Sequence, residues 1–114
     1  MIRRKDQMKT EERPQMRGGE GVIHAYQLLE PADLCGKANL CAILTVDPGC
    51  SIGEHAHGPD AEIYYVLEGQ LEASDNGEQT VLHPGDAMFT AQGKTHSVRN
   101  TGDQPAKILA VVIA

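Results

Sequence analysis

Gly49-Cys-Ser-Ile-Gly-Glu-His55-Ala-His57-Gly-Pro-Asp-Ala-Glu62-Ile-Tyr-Tyr-Val-Leu-Glu-Gly69 sets two histidines two residues apart and a glutamate just past a Gly58-Pro59 turn. On a β-strand, side chains two apart point to one face, so His55 and His57 point the same way. Glu62 opens the next strand, which runs through Ile63, Tyr64, Tyr65, Val66 and Leu67 and is closed by Gly69. A second stretch, Gly85-Asp-Ala-Met-Phe-Thr-Ala-Gln-Gly93-Lys-Thr-His96-Ser-Val-Arg-Asn100, delivers a third histidine from a later strand. A small β-barrel brings His55, His57, Glu62 and His96 together on its inside.

The flanking sequence reads the same way. Strands are expected over 21–29, 38–46, 51–57, 63–67, 70–74, 79–83, 87–90, 95–100 and 106–113. A Pro-containing connector covers 30–36. Asp75-Asn76-Gly77 is a hairpin signal, because two successive left-handed residues favour Asn and Gly. His83-Pro84-Gly85-Asp86 suits a type II turn, with Pro and Gly at its two central positions. Short strands at roughly 8–12-residue spacing with no convincing helix give an all-β sandwich or barrel. Ile63, Tyr65 and Leu67 are apolar in the outward phase, as are Tyr64 and Val66 in the inward one. A strand apolar on both faces needs cover on both. The outer sheet is therefore expected to pack on a second subunit, most simply as a homodimer.

A length of 114 residues suits one domain with a modest core. No apolar run approaches the ~20 residues that cross a bilayer, and Met1-Ile-Arg-Arg-Lys-Asp-Gln lacks the apolar core of a secretory signal. The expectation is a cytoplasmic protein with no membrane partner. Net charge is −6, unevenly spread. Residues 1–17 carry six basic and three acidic side chains, and the remainder four basic and thirteen acidic. The acidic body argues against a nucleic-acid partner. The division expected is an N-terminal basic arm at 1–17, either solvated or lying across a second copy, and a single barrel domain at 18–114. Cys35, Cys41 and Cys50, an odd number without a Cys-x-x-Cys pair, read as partly buried free thiols. Cys50, five residues before His55, is placed where it could face the pocket mouth.

Neutral imidazoles and a carboxylate form a donor set of intermediate hardness, suited to Mn, Fe, Co, Ni, Cu or Zn as divalent ions. A lone His-x-His is weak evidence. A glutamate five residues on and a third histidine in a Gly-framed turn strengthen it, because four ionisable groups facing an apolar interior are costly unless an ion satisfies them. An octahedral ion held by four ligands keeps two positions free for a small oxygen ligand, whereas tetrahedral zinc would be saturated.

The stretch resembles the cupins, of the small single-domain bacterial kind. The family's first motif, G-x5-H-x-H-x4-E-x6-G, is met by Gly49, His55, His57, Glu62 and Gly69. Its second, G-x5-P-x-G-x2-H-x3-N, is met by Gly85, Gly93, His96 and Asn100, with Ala91 replacing the proline. Met16-Arg-Gly-Gly19 is also similar to a stretch in small cupins described as oxalate decarboxylase-like. The resemblance implies a jelly-roll barrel of two antiparallel sheets, one divalent metal held by His55, His57, Glu62 and His96, and often a dimer.

The expected function is that of a metal-dependent enzyme acting on a small carboxylate or keto substrate: a decarboxylase, dioxygenase or isomerase. The alternative is a non-catalytic small-ligand-binding protein with a structural metal. Tyr64 shares the inward phase of Glu62 and is the candidate catalytic side chain, to orient substrate or move a proton. Thr90, Ser51 and Gln92 are candidate polar pocket residues. Asp60, in the turn near the barrel mouth, is expected to face solvent. Oxalate decarboxylation, by resemblance to two-domain enzymes, needs a basic residue to hold a carboxylate, and Arg99 is out of phase with His96, which weakens that reading. His83 reads as a surface turn residue, and His24 lies on the first strand apart from the set.

Overall fold

A computed structural model describes residues 1–114. Ten strands form two antiparallel sheets: β1 (Lys9–Pro14), β2 (Val22–Leu29), β3 (Ala38–Val46), β4 (Ser51–Ala56), β5 (Ala61–Glu68), β6 (Leu71–Asp75), β7 (Glu78–Leu82), β8 (Ala87–Thr90), β9 (Thr95–Arg99) and β10 (Ala106–Ile113). One sheet has the order β1-β2-β3-β10-β5-β8 and the other β4-β9-β6-β7. Three short 3-10 turns, at Lys5–Gln7, Met16–Gly18 and Pro31–Leu34, complete the chain. No helix is long and apolar enough to cross a membrane. This is the all-β jelly-roll barrel expected.

The inward phases of the strands build the core. Ile23, Leu44, Val46, Val66 and Ile108 of the large sheet meet Ile52, Leu71, Ala73 and Val98 of the small one, all essentially without solvent exposure. β10 lies between β3 and β5 and reads Ala-Lys-Ile-Leu-Ala-Val-Val-Ile, with Ala106, Ile108 and Ala110 buried inward and Lys107, Leu109 and Val111 half-buried on the outer face. The turn chemistry is as read from sequence. Asn76 and Gly77 are both left-handed (φ 49° and 92°) between β6 and β7, and Gly85 (φ 93°) completes a turn in which Asp86 N–H donates to the His83 carbonyl at 2.9 Å. Gly69 allows a close approach: a Cβ there would stand 2.6 Å from the Pro105 carbonyl oxygen.

The strands do not divide the chain at residue 17. Lys9–Pro14 pairs residue for residue with Val22–Gln27 as the edge of the six-stranded sheet. Farther out, Arg3 reaches Asp33 at 3.0 Å. The basic segment thus lies along its own barrel wall. Lys-Thr-Glu-Glu-Arg-Pro carries no apolar alternation, which an edge strand tolerates because backbone hydrogen bonds to one neighbour hold it.

β4 carries a bulge. Ile52 pairs with Val98, and His55 pairs with His96, so three steps on β4 match two on β9. The extra residue resets the phase, and both Ile52 and His55 face inward.

Candidate metal centre

The ligand candidates come from both sheets. His55 lies on β4, His57 just beyond it, Glu62 on β5 and His96 on β9. The turn after β4 is tied to the turn before β9: His57 N–H donates to the Lys94 carbonyl at 3.0 Å, and Gly93 N–H donates to the His57 carbonyl at 2.6 Å. One ligand atom from each of the four lies within 4.8 Å of the others. Nε2 of His57 stands 3.0 Å from Oε1 of Glu62 and 3.2 Å from Nε2 of His96. Nε2 of His96 in turn stands 3.0 Å from Nε2 of His55. Glu62, His57 and His96 are buried, and His55 is partly so.

Every imidazole is oriented by its other nitrogen. His55 Nδ1–H donates to the Gly53 carbonyl at 2.8 Å, and His57 Nδ1–H to the Asp60 carboxylate at 2.9 Å. His96 Nδ1 and the Thr90 hydroxyl share a hydrogen bond of 2.7 Å. A carbonyl and a carboxylate only accept, so neutral His55 and His57 turn bare Nε2 lone pairs inward. Burial holds His55 below its ordinary value, which favours the neutral ring. Lone pairs meeting at such distances repel unless a proton or a cation lies among them. The donor set therefore fits a metal ion.

The other expected site residues divide. Thr90 is fully buried against His96. Tyr64 is also buried and stacks on the His96 ring at 4.9 Å and 16°. Burial, with the Glu62 carboxylate beside it, pushes its phenol well above the ordinary value. Tyr64 therefore meets the ligand cluster through the face of the His96 ring. Ser51 turns away and accepts the Glu20 N–H at 2.9 Å, and Gln92 is exposed. Cys50 packs against Gly21. Its thiol does not line the cavity, while Cys35, expected to be partly buried, is exposed. Arg99 points outward to Glu20 at 3.5 Å, and His83 is exposed, both as expected. Asn100, the last motif residue, is a brace rather than a ligand: its amide donates to the Val46 and Gln104 carbonyls and accepts the Gly102 N–H.

Asp60 departs from expectation. Its carboxylate turns back to His57 because the Gly58-Pro59 turn places it three residues on, within reach of Nδ1. An Asp shortly after a histidine in a tight turn was the available signal. The cavity before the ligands measures about 460 Å³, within the ~300–1,000 Å³ usual for small-molecule sites. Arg13, Met16, Arg17, Asn39, Leu40 and Val112 wall it opposite the histidines. The two arginines belong to the segment expected to lie outside the barrel.

Known proteins share this sequence pattern and fold. The chain is 38% identical over 113 residues to a Thermotoga maritima protein named as oxalate-binding, covering 99% of this chain and 93% of that one. A crystal structure of a predicted oxalate decarboxylase from Thermotoga maritima superposes with a TM-score of 0.94 at 38% identity, covering 99% of this chain and 98% of that one. Tetracenomycin polyketide synthase protein TcmJ of Streptomyces glaucescens is 30% identical over 82 residues, which is 72% of this chain and 55% of that one. The polyketide cyclase RemF of Streptomyces resistomycificus shares the fold, with a TM-score of 0.78 at 23% identity over 99% of this chain and 80% of that one. The family model described as "Cupin domain" matches residues 42–112, the span that holds all four inward-facing ligand candidates, and the chain accordingly belongs to the cupin family.

Proposed function

We propose that His55, His57, Glu62 and His96 hold one divalent metal ion, and that the protein is a metal-dependent enzyme acting on a small carboxylate or keto substrate. The reaction class is decarboxylation, dioxygenation or isomerisation. The observation that carries the reading is the convergence of three Nε2 atoms and one carboxylate oxygen, with the outer nitrogen of every ring already engaged. Such an ion would supply Lewis-acid polarisation to a bound oxygen ligand. The residues around it do the rest. Asp60, Thr90 and the Gly53 carbonyl fix ring orientation and tautomer. Tyr64 holds the His96 plane. Met16, Leu40 and Val112 limit water at the mouth.

A second reading, a binding protein without turnover, is supported by the absence of a free acid in the cavity. Of the carboxylates lining it, Glu62 belongs to the ligand cluster and Asp60 is engaged by His57. The name of the Thermotoga relative, oxalate-binding, points the same way. We further infer a homodimer formed through the outer face of the six-stranded sheet, where Tyr26, Tyr65, Leu67 and Phe89 are exposed.

Elemental analysis of the protein and of His55→Ala tests the metal assignment. One Mn or Fe per chain, lost in the variant, is the expected result. Equal and negligible metal in both would overturn it. Release of CO2 from oxalate, or oxygen uptake with small keto acids, would then separate enzyme from binder.

A further inference from the structure

The wall of the cavity opposite the ligands is built by the segment that precedes the family match. Arg13, the next-to-last residue of β1, has its side chain partly buried, and Glu11 neutralises it at 3.1 Å. Arg17 lines the same cavity at its solvent-exposed rim and has no carboxylate within salt-bridge reach. Its backbone is left-handed (φ 55°, ψ 32°), as is that of Gln15 (φ 48°), a conformation unfavourable for residues with a Cβ.

The surroundings force this conformation. Gln15 N–H donates to the Gly21 carbonyl at 2.8 Å, and Gly18 N–H donates to the Gln15 carbonyl at 2.9 Å. The turn is pressed onto β4, where a Cβ on Gly53 would stand 2.1 Å from the Arg17 carbonyl oxygen and a Cβ on Gly19 would stand 2.2 Å from that of Ser51. Gly53 is also the residue whose carbonyl orients His55. One glycine thus seats the Arg17 turn and aims a ligand.

We propose that Arg17, supported by Arg13, is a carboxylate clamp that fixes the far end of a short dicarboxylate or keto acid whose near end meets the metal ligands. The assignment rests on the metal reading above and narrows it to ligands with two oxygen-bearing ends. A guanidinium fork matches a carboxylate in a bidentate way, and an unpaired one facing a part-enclosed cavity is where such a ligand gains most. Monocarboxylates can occupy only one of the two ends.

Calorimetric titration with oxalate, malonate and acetate, on Mn(II)-loaded and on chelator-treated protein, tests the clamp in the wild type and in Arg17→Gln, Arg17→Lys and Arg17→Gly. Arg17→Gln should weaken oxalate and malonate by roughly ten- to a hundredfold, leave acetate little changed and leave Mn content unchanged. Arg17→Lys should recover part of the loss. Arg17→Gly, whose backbone angles suit glycine, should melt no lower than wild type while losing the same affinity, which separates binding from folding. Oxalate binding equal to wild type in metal-loaded Arg17→Gln would overturn the clamp. Should wild type retain no metal, the metal reading fails. The chelator-treated series then decides: Arg17-dependent oxalate binding supports the clamp, and its absence overturns it.

Discussion

The Asp60 carboxylate takes the Nδ1 hydrogen of His57 at 2.9 Å, across the ring from the nitrogen that faces Glu62 and His96. Carboxylate partners of this kind fix the tautomer and raise ligand basicity. Asp60→Ala should weaken divalent-metal affinity by about 10–100-fold with little change in fold, because Asp60 lies in a surface turn. Competition with a chromogenic chelator measures this. Wild-type affinity in the variant would show that the contact does not orient a ligand.

Metal removal should lower stability. Without a cation, bare nitrogens and a carboxylate oxygen face one another at 3.0–3.2 Å. An ion at a hundred times its Kd contributes about 2.7 kcal/mol by mass action. Thermal melts of chelator-treated protein should shift down and recover on adding Mn(II). Superimposable melts with and without the ion would contradict a bound metal.

His24 lies between two carboxylates, Glu12 on β1 at 2.8 Å and Asp47 after β3 at 3.1 Å. The hydrogen bond to Glu12, then the charges of both acids, raise its pKa above the ordinary 6.5. A raised pKa in the folded state stabilises fully below 6.5, and the contribution fades as pH rises through the folded value. The pair is half-exposed, so the effect is small. His24→Gln should therefore melt below wild type at about pH 6 and converge with it at about pH 9. A gap that is constant or widens with pH would contradict the linkage.

Phe89 is 57% exposed on β8, beside Ile63 of β5 in the register. If this face joins two copies, Phe89→Glu should convert a dimer to a monomer in sedimentation equilibrium while leaving metal content intact. A wild-type protein of monomer mass would remove the dimer.

Much of this was legible in the sequence because its signals are local. Asn76-Gly77 and Pro84-Gly85 dictate their turns through backbone angles alone, and the two-residue spacing of His55 and His57 sets both on one face. What was missed depends on backbone pairing and on the direction of turns rather than on an apolar pattern. β1 has no apolar period, so only its pairing with β2 reveals it. Asp60 and Arg17 acquire their roles from the direction a turn sends them, which composition does not encode. Tyr64 was placed on the inward face, and its stacking on the His96 ring is a contact between strands that one strand's pattern does not show.

The bulge between Ile52 and His55 lets one strand serve two masters. Upstream of it, inward positions answer to close packing, where a methylene gained or lost is felt. Downstream, they answer to coordination chemistry. Since the extra residue absorbs the change of phase, the donor set could be exchanged without disturbing the apolar layer beneath it. A barrel built this way can change its chemistry while keeping its architecture.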